Sequence, residues 1–288
     1  MTVFLMILIN GCILGSVYAL FAMGLSTQYG VARVLNIAHG EFMLFAAIIT
    51  YFLHTVTKVH PLVALAIAGP ATFGITFVLH MTIFRRVKRM SPNMDIFEGN
   101  AILVSFGIYL IAQNLIQTRL GATTTAYPFM LYSVPVGPVN ISASSLFVML
   151  IAIIICVLYT IFLSQTRMGK AIRAAAQDPQ AAAMLGVKID SIMALCFAIG
   201  GLLAACAGVL ISMKEPFSAH SGMNYTTIAV LIVVLGGLGS VRGAILGGFI
   251  LGIVGFAVSS YDTGLMLSVF YLIVLVLLIV RPKGLLER

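Results

Sequence analysis

A cluster of polar side chains, Asn36, His39 and Glu41, lies directly before a long apolar run. Gly40 stands between them and permits a tight entry into a helix, in whose first turn a carboxylate at Glu41 would favour the helix dipole. Asn36 and His39 can bond backbone groups that a helix break leaves unpaired. The cluster therefore predicts a structural helix start or, as the sharper hypothesis, the lining of a translocation path or its gate.

Sequence motifs for enzyme chemistry are missing. The chain has no His-Glu-x-x-His or Gly-x-Ser-x-Gly pattern, and His54, His60 and His80 show no metal-ligand spacing. A Gly-x-x-x-x-Gly-Lys-Ser/Thr phosphate loop is also missing. We therefore expect no catalytic residue, no metal and no ATPase site on this chain.

A glycine-rich block lies near the C-terminal end of the sequence. Its first part predicts a hinge or re-entrant turn on the same path or gate and comprises Gly236, Gly237, Gly239 and Ser240. Its second part has glycines at spacings of three and four, namely Gly243, Gly247, Gly248 and Gly252. Such spacing lets helices approach closely in a bilayer, so it predicts a packing face that could meet a partner chain.

The basic, alanine-rich residues 165–190, here called loop 165–190, have well-marked helix boundaries. Asp178 followed by Pro179 is typical of an N-cap and first helical position, and Gly186 suits a left-handed end, which predicts a helix over 179–185. Lys170 and Arg173 are three apart and share a helix face. Composition alone fits a solvated connector and a docking element equally well.

The elements that must position these residues are membrane spans. With 61% hydrophobic and 8% charged residues and a mean hydropathy of +1.13, the chain differs from soluble domains, in which about 25% of residues are charged. The fold class is an all-α, polytopic membrane protein with about nine spans, eight to ten at roughly 20 residues each. We expect a single domain, 1–288. The apolar segments are 3–25, 42–53, 62–84, 100–117, 144–163, 192–212, 226–238, 244–259 and 265–280.

Two of these segments, 42–53 and 226–238, are too short to cross alone and predict broken or re-entrant helices. None of the nine, as bounded, contains Asp, Glu, Lys or Arg. Ion-driven transporters usually carry ionisable residues at membrane depth, so any energy for transport should enter from outside the membrane. The alternative is ion coupling through backbone carbonyls and hydroxyls.

Lys and Arg residues predict the orientation of the chain. They gather in three places, at 85–89, at 167–188 and in the tail at Arg281, Lys283 and Arg288. Cytoplasmic loops are enriched in these residues, so nine spans place the N-terminus outside and the C-terminus inside. This arrangement leaves only Lys58, Arg119 and Lys214 outside.

Loop 165–190 resembles the docking region of permeases from ATP-binding-cassette importers. Its residues Gln180-Ala-Ala-Ala-Met-Leu-Gly186 are similar to the Glu-Ala-Ala-x-x-x-Gly motif, with Gln180 in place of Glu and without the downstream Ile-x-Leu-Pro. Gly169 to Asp178, Leu185 to Asp190, Tyr29 to Glu41 and Val234 to Gly248 resemble the branched-chain amino acid permease family, specifically its shorter LivH-type subunit.

The resemblance implies an assembly in a bacterial inner membrane. Such a permease pairs with a second homologous permease, two cytoplasmic subunits that bind ATP and Mg, and a substrate-binding protein. It contacts membrane lipid, and no nucleic acid is expected. The resemblance implies alternating access driven by ATP hydrolysis in the partners, with leucine, isoleucine, valine or similar hydrophobic amino acids as cargo. ATPase coupling would fall to Lys170, Arg173, Asp178, Gln180, Ala181 and Gly186.

Three other functions remain open from the sequence. Close relatives in the family carry urea or short amides. A secondary carrier or channel would transport without ATP or partners, and a membrane scaffold would transport nothing.

Overall fold

The computed structural model describes residues 2–121, 123–282 and 284–286, so the predicted tail charges Lys283 and Arg288 lie outside the described residues. The helices are α1 (Thr2–Ala32), α2 (His39–Thr57), α3 (Pro61–Leu79), α4 (Arg85–Met90), α5 (Met94–Leu120), α6 (Ala143–Gln165), α7 (Arg167–Gln177), α8 (Pro179–Met184), α9 (Ile189–Ser212), α10 (Ser221–Gly236), α11 (Val241–Ser259) and α12 (Met266–Val280). A π-helical turn at His80–Phe84 joins α3 to α4, and a 3-10 turn at Thr263–Leu265 precedes α12. Strands β1 (Ser133–Val136) and β2 (Val139–Ser142) form an antiparallel hairpin.

Eight helices in the described residues are long and apolar enough to cross a bilayer, which confirms the prediction of an all-α polytopic membrane protein. α10 has 16 residues and is shorter than a span, as residues 226–238 predicted. α2, however, has 19 residues. The prediction that residues 42–53 are too short was wrong, because the polar residues before them already belong to the helix.

The helices also contain charged residues that the apolar segments excluded. Glu41 lies in the first turn of α2 and is only 2% exposed. Asp95 and Glu98 lie in α5, which begins at Met94. The prediction of charge-free spans was therefore wrong: protein surrounds the start of α2 at Glu41, and α5 begins several residues before the apolar segment 100–117.

The most buried span is α9, where 89% of its most apolar stretch lies inside the protein. It packs against α1, α2 and α3. Small residues permit this contact: a Cβ at Gly208 would overlap the Met43 carbonyl oxygen of α2, and one at Gly201 would overlap Thr76 of α3. α9 is therefore the central helix of the bundle.

The two ends of the bundle differ. At one end, here called the basic end, Arg85 and Lys88 pair with Asp190 at 3.1 and 3.7 Å, and Arg33 pairs with Glu98 at 3.7 Å. The same end carries α7 and α8. At the opposite end, here called the hairpin end, lies the β1–β2 hairpin. There the Tyr127 hydroxyl contacts Ser212 at 3.0 Å, and burial raises the pKa of Tyr127 to about 12.

Candidate functional site

Residues 33–38 form a break between α1 and α2 that runs back into the bundle. Asn36 is 1% exposed, and its Oδ1 accepts a hydrogen bond from the Ala38 N–H at 3.1 Å. Its Nδ2 donates to Gln28 Oε1 at 3.3 Å, and Gln28 in turn donates to the Phe197 carbonyl oxygen at 3.0 Å. Side chains thus replace backbone partners that the break lacks, and they tie it to α1 and α9.

His39 begins α2 inside the bundle and is fully buried. Its Nε2 donates to the Phe21 carbonyl oxygen at 3.2 Å, and its ring stacks on the Phe21 ring with centroids 4.6 Å apart. Since a carbonyl oxygen can only accept, Nε2 carries the proton, and Nδ1 has no partner within the described residues. α2 therefore starts beside the interior of α1 rather than at its end.

The start of α2 meets the start of α10. The Gly40 N–H donates to Thr226 Oγ1 at 2.8 Å, and that hydroxyl donates to the Gly222 carbonyl oxygen at 3.1 Å. A Cβ at Gly40 would overlap the Gly222 oxygen, so glycine alone fits there. We call this contact, residues 39–41 of α2 and 222–226 of α10, the half-helix junction.

From the half-helix junction the two helices run in opposite directions. α2 runs to the hairpin end, where the His54 ring lies 4.8 Å from that of Tyr127. α10 runs to the basic end and stops at Gly236. The N-terminus of each helix carries partial positive charge. In discontinuous transporter helices, such N-termini inside the membrane attract anionic groups.

Glu41 places a carboxylate at both N-termini. It lies in the first turn of α2 and is so close to Gly222, in the first turn of α10, that a Cβ there would overlap it. Neither carboxylate oxygen has a hydrogen-bond partner among the residues the structure describes. Within residues 2–121, 123–282 and 284–286, no group of three or more His, Cys, Asp or Glu side chains is placed so that it could hold a metal ion. An ionisable residue at membrane depth is costly and usually functional.

The predicted gate residues of the glycine-rich block lie away from this junction. Gly237 and Gly239, with φ of 103° and 83°, form the turn after α10 at the basic end. Ser240 Oγ accepts from the Gly243 N–H at 3.1 Å and caps α11. At 1.5 Å per residue, α10 separates this turn from the half-helix junction by about 20 Å. Asn36, His39 and Glu41 are thus brought together, and Gly236 to Ser240 form a separate group.

The four spaced glycines of α11 face helices of this same chain. Gly243 and Gly247 lie against α10, and Gly248 and Gly252 lie against α1, each so closely that a Cβ would collide with backbone. The packing face that their spacing indicates is therefore covered by α1 and α10 of this chain and not by a partner chain.

Loop 165–190 folds as its boundary residues predicted. α8 spans Pro179–Met184, one residue shorter than predicted, and Asp178 Oδ1 accepts from the Gln180 and Ala181 N–H groups at 2.9 and 3.0 Å. Gly186 has φ of 85° and ends the helix. Local capping therefore defines this element.

The loop presents one covered and one exposed face. Its buried residues are Gly169, Ile172, Ala175 and Ala182, and its exposed ones include Lys170, Arg173, Asp178, Gln180, Ala181 and Gly186. Met184 and Leu185 are 90% and 84% exposed. Adjacent apolar side chains exposed beside cations are typical of a surface that contacts another protein.

Sequence reasoning missed several partners of the break and the half-helix junction. Gln28, Gly222 and Thr226 carry the contacts described above, and Ser105 of α5 accepts from the Ile37 N–H at 3.1 Å. The available signal was the small-residue spacing of Gly200, Gly201 and Gly208 in α9, which marks close helix approach. It does not identify the partner residues.

A family model described as the permease component of branched-chain amino acid transport systems matches residues 7–281. This chain belongs to that family. The permease is 32% identical to the high-affinity branched-chain amino acid transport permease LivH of Escherichia coli K12, over 99% of this chain and 96% of that protein. It is 30% identical to BraD of Pseudomonas aeruginosa, over 98% and 95% of the two chains. No solved structure matches the permease. The resemblance found in the sequence is confirmed.

Proposed function

We propose that the chain is the membrane subunit of an ATP-binding-cassette importer for leucine, isoleucine, valine or similar hydrophobic amino acids. Relatives covering nearly the whole chain are branched-chain amino acid transport permeases, which supports the cargo class. Substrate moves by alternating access, driven by ATP hydrolysis in partner subunits that bind ATP and Mg.

The observation that carries this proposal is the exposed face of loop 165–190. α8 is capped at both ends, and Met184 and Leu185 next to it are almost fully exposed. A short, well-formed helix with apolar and basic side chains at the edge of a membrane bundle suits docking into a cytoplasmic partner. We therefore assign ATPase coupling to this loop.

The assembly contains a second homologous permease, two ATP-binding subunits and a substrate-binding protein, in the inner membrane. The basic end faces the cytoplasm, because Arg33, Arg85 and Lys88 lie there together with the exposed Lys170 and Arg173, and cytoplasmic segments are enriched in Lys and Arg. α1 begins at the hairpin end, so the N-terminus lies outside, and α12 returns the C-terminus to the inside.

We assign the gate to the half-helix junction, where Asn36, His39 and Glu41 converge, and a hinge to residues 236–240. In the assembled complex, His39→Ala should lower uptake per complex, because it removes the bond to Phe21 that sets the start of α2. Uptake and complex yield are measured together. A reduced yield with normal uptake per complex would contradict a gate and leave a structural role.

The decisive experiment purifies the complex with its partners, reconstitutes it and measures uptake of leucine, valine, alanine and urea. We expect uptake of leucine and valine with ATP and none with a non-hydrolysable analogue. Preference for urea would favour the amide-permease alternative. Uptake by this chain alone without ATP would instead establish a carrier or channel.

A further inference from the structure

A cavity of about 440 Å³ lies between α1, α10, α11 and the start of α12. The cavity lies near the hairpin end, because its lining includes Lys214 and Glu215, which follow the end of α9 there. Sites for small molecules usually measure about 300–1,000 Å³, so the cavity has the size of a small-ligand site.

Both signs of charge line this cavity. Lys214 Nζ pairs with Glu215 Oε1, and the Tyr225 hydroxyl donates to Glu215 Oε2 at 3.2 Å. The Lys214 and Glu215 side chains are 23% and 39% exposed, so the pair is open to an incoming ligand. An ion pair that is partly exposed contributes little to stability and can exchange partners readily.

The rest of the cavity wall is mixed. Leu14 of α1, Ile228 of α10, Phe256 of α11 and Met266 of α12 give it an apolar part, and the polar residues of the lining include Asn10, Ser221, Asn224, Ser259 and Thr263. Ile228 is only 4% exposed, which gives the cavity a buried apolar floor. The wall therefore offers an aliphatic surface beside a cation and an anion.

The cavity adjoins the half-helix junction through α10. Tyr225 and Ile228 face the cavity, whereas Gly222 and Thr226 face Gly40 across the junction. Both surfaces thus use the first two turns of one short helix. A ligand in the cavity would therefore contact α10, the helix that also forms one side of the half-helix junction.

We propose that this cavity binds a zwitterionic aliphatic amino acid on the outer side of the gate. Lys214 donates to the ligand carboxylate, Glu215 accepts from its ammonium group, and the side chain lies on Leu14 and Ile228. The proposal rests on the proposed function and adds a substrate site on the permease itself. A phospholipid headgroup with a primary amine also carries an ammonium group and an anion, its phosphate. The test therefore distinguishes a free amino acid from such a lipid.

The test measures equilibrium binding of radiolabelled leucine to the intact complex without binding protein and ATP. Vesicles of phosphatidylcholine and phosphatidylglycerol exclude primary-amine lipids. We expect saturable binding and competition by isoleucine. Competition should be weak for 4-methylpentanoate, which lacks the ammonium group, and for isopentylamine, which lacks the carboxylate.

Two charge-removing variants, Glu215→Gln and Lys214→Met, should each weaken leucine binding by about 10- to 100-fold, the range for loss of a charged hydrogen bond. Glu215→Asp should restore part of it. Two matched controls at the same end should bind normally: Lys58→Met, and Asp262→Asn, which keeps the oxygen that accepts from the Gly264 N–H at 2.8 Å. Complex yield and ATPase activity verify folding.

Three outcomes would overturn the site: no saturable binding at millimolar leucine, wild-type affinity in both variants, or displacement of leucine by phosphatidylethanolamine but not by isoleucine. ATP-driven uptake by the wild-type complex is measured in the same vesicles. Its failure counts against the proposed function, whereas normal uptake with unaltered binding by the variants counts against this site alone.

Discussion

The half-helix junction is held together by residues far apart in sequence, whereas loop 165–190 is shaped by its immediate neighbours. In the junction, Gly40 bonds Thr226 of another helix and Glu41 lies against Gly222. In the loop, Asp178 caps the two residues that follow Pro179. The first is buried and intolerant of added volume, and the second is exposed and has room around it.

This difference separates two kinds of mutational effect. Changes at the junction act on folding and on the conformational cycle together, because backbone and polar groups are packed without spare space. Changes in the loop leave the bundle intact and act where a partner would touch. The following predictions test that separation, from the largest expected effect to the smallest.

Gly40→Val should abolish assembly of the folded bundle. Its side chain would collide with the Gly222 carbonyl oxygen, and overpacking there should cost about 3 kcal/mol or more. Complex yield and the thermal unfolding midpoint measure this. Gly107→Val in α5 is the matched control, since an added Cβ there would meet no atom within 4 Å beyond the adjoining backbone of α5. Equal yields for the two variants would contradict the packed junction.

Gly186→Phe should uncouple ATP hydrolysis from uptake without unfolding the spans. The isolated chain has open space at Gly186, so bulk there acts on a docked partner. A left-handed φ also strains the substitution by roughly 1–2 kcal/mol. Gly121→Phe at the other end of the bundle shares the positive φ and the open space, and so controls for backbone strain. Unchanged uptake per ATP would refute the coupling role.

Glu41→Gln should reduce uptake per complex by about tenfold, equivalent to ~1.4 kcal/mol on the limiting step. Stability should stay equal or rise, because each helix dipole contributes about 0.3–1 kcal/mol, whereas burying an unpaired ion costs several kcal/mol. Asp95→Asn, an exposed first-turn carboxylate in α5, is the control. Lower stability with normal uptake would assign Glu41 to folding alone.

Asp178→Ala should fray α8 locally by about 1 kcal/mol and lower coupling a few-fold, with the unfolding midpoint of the bundle unchanged. Asp178→Asn keeps a capping oxygen and should behave like wild type. Hydrogen exchange in α8 and uptake per ATP measure the two effects. A large fall in the global midpoint would show that the loop is not independent of the bundle.

Local sequence signals predicted α8, in loop 165–190, to within one residue. Asp178, Pro179 and Gly186 determine the ends of α8 because caps act on neighbouring backbone groups. Local signals also placed Glu41 in the first turn of a helix, where it lies in α2. Hydropathy failed at the same place: it excluded Glu41 and shortened the segment to 42–53, because it assumes lipid around residues that protein surrounds.

The packing glycines show the limit of spacing arguments in the same way. Gly248 and Gly252 indicate close helix approach by their spacing. Only the fold shows that the approaching helix is α1 of this chain rather than a partner. Spacing identifies a face, and chain topology decides what covers it.

The sequence by itself determined a helical membrane permease, its family and the boundaries of its exposed loop, because composition, motifs and caps are local properties. Only the tertiary structure decided that α2 and α10 begin against each other, with Glu41 between them and a charged cavity beside them. Those contacts join residues more than a hundred positions apart, such as Gly40 and Thr226. No local pattern encodes such a pairing, because it depends on how the spans pack around α9.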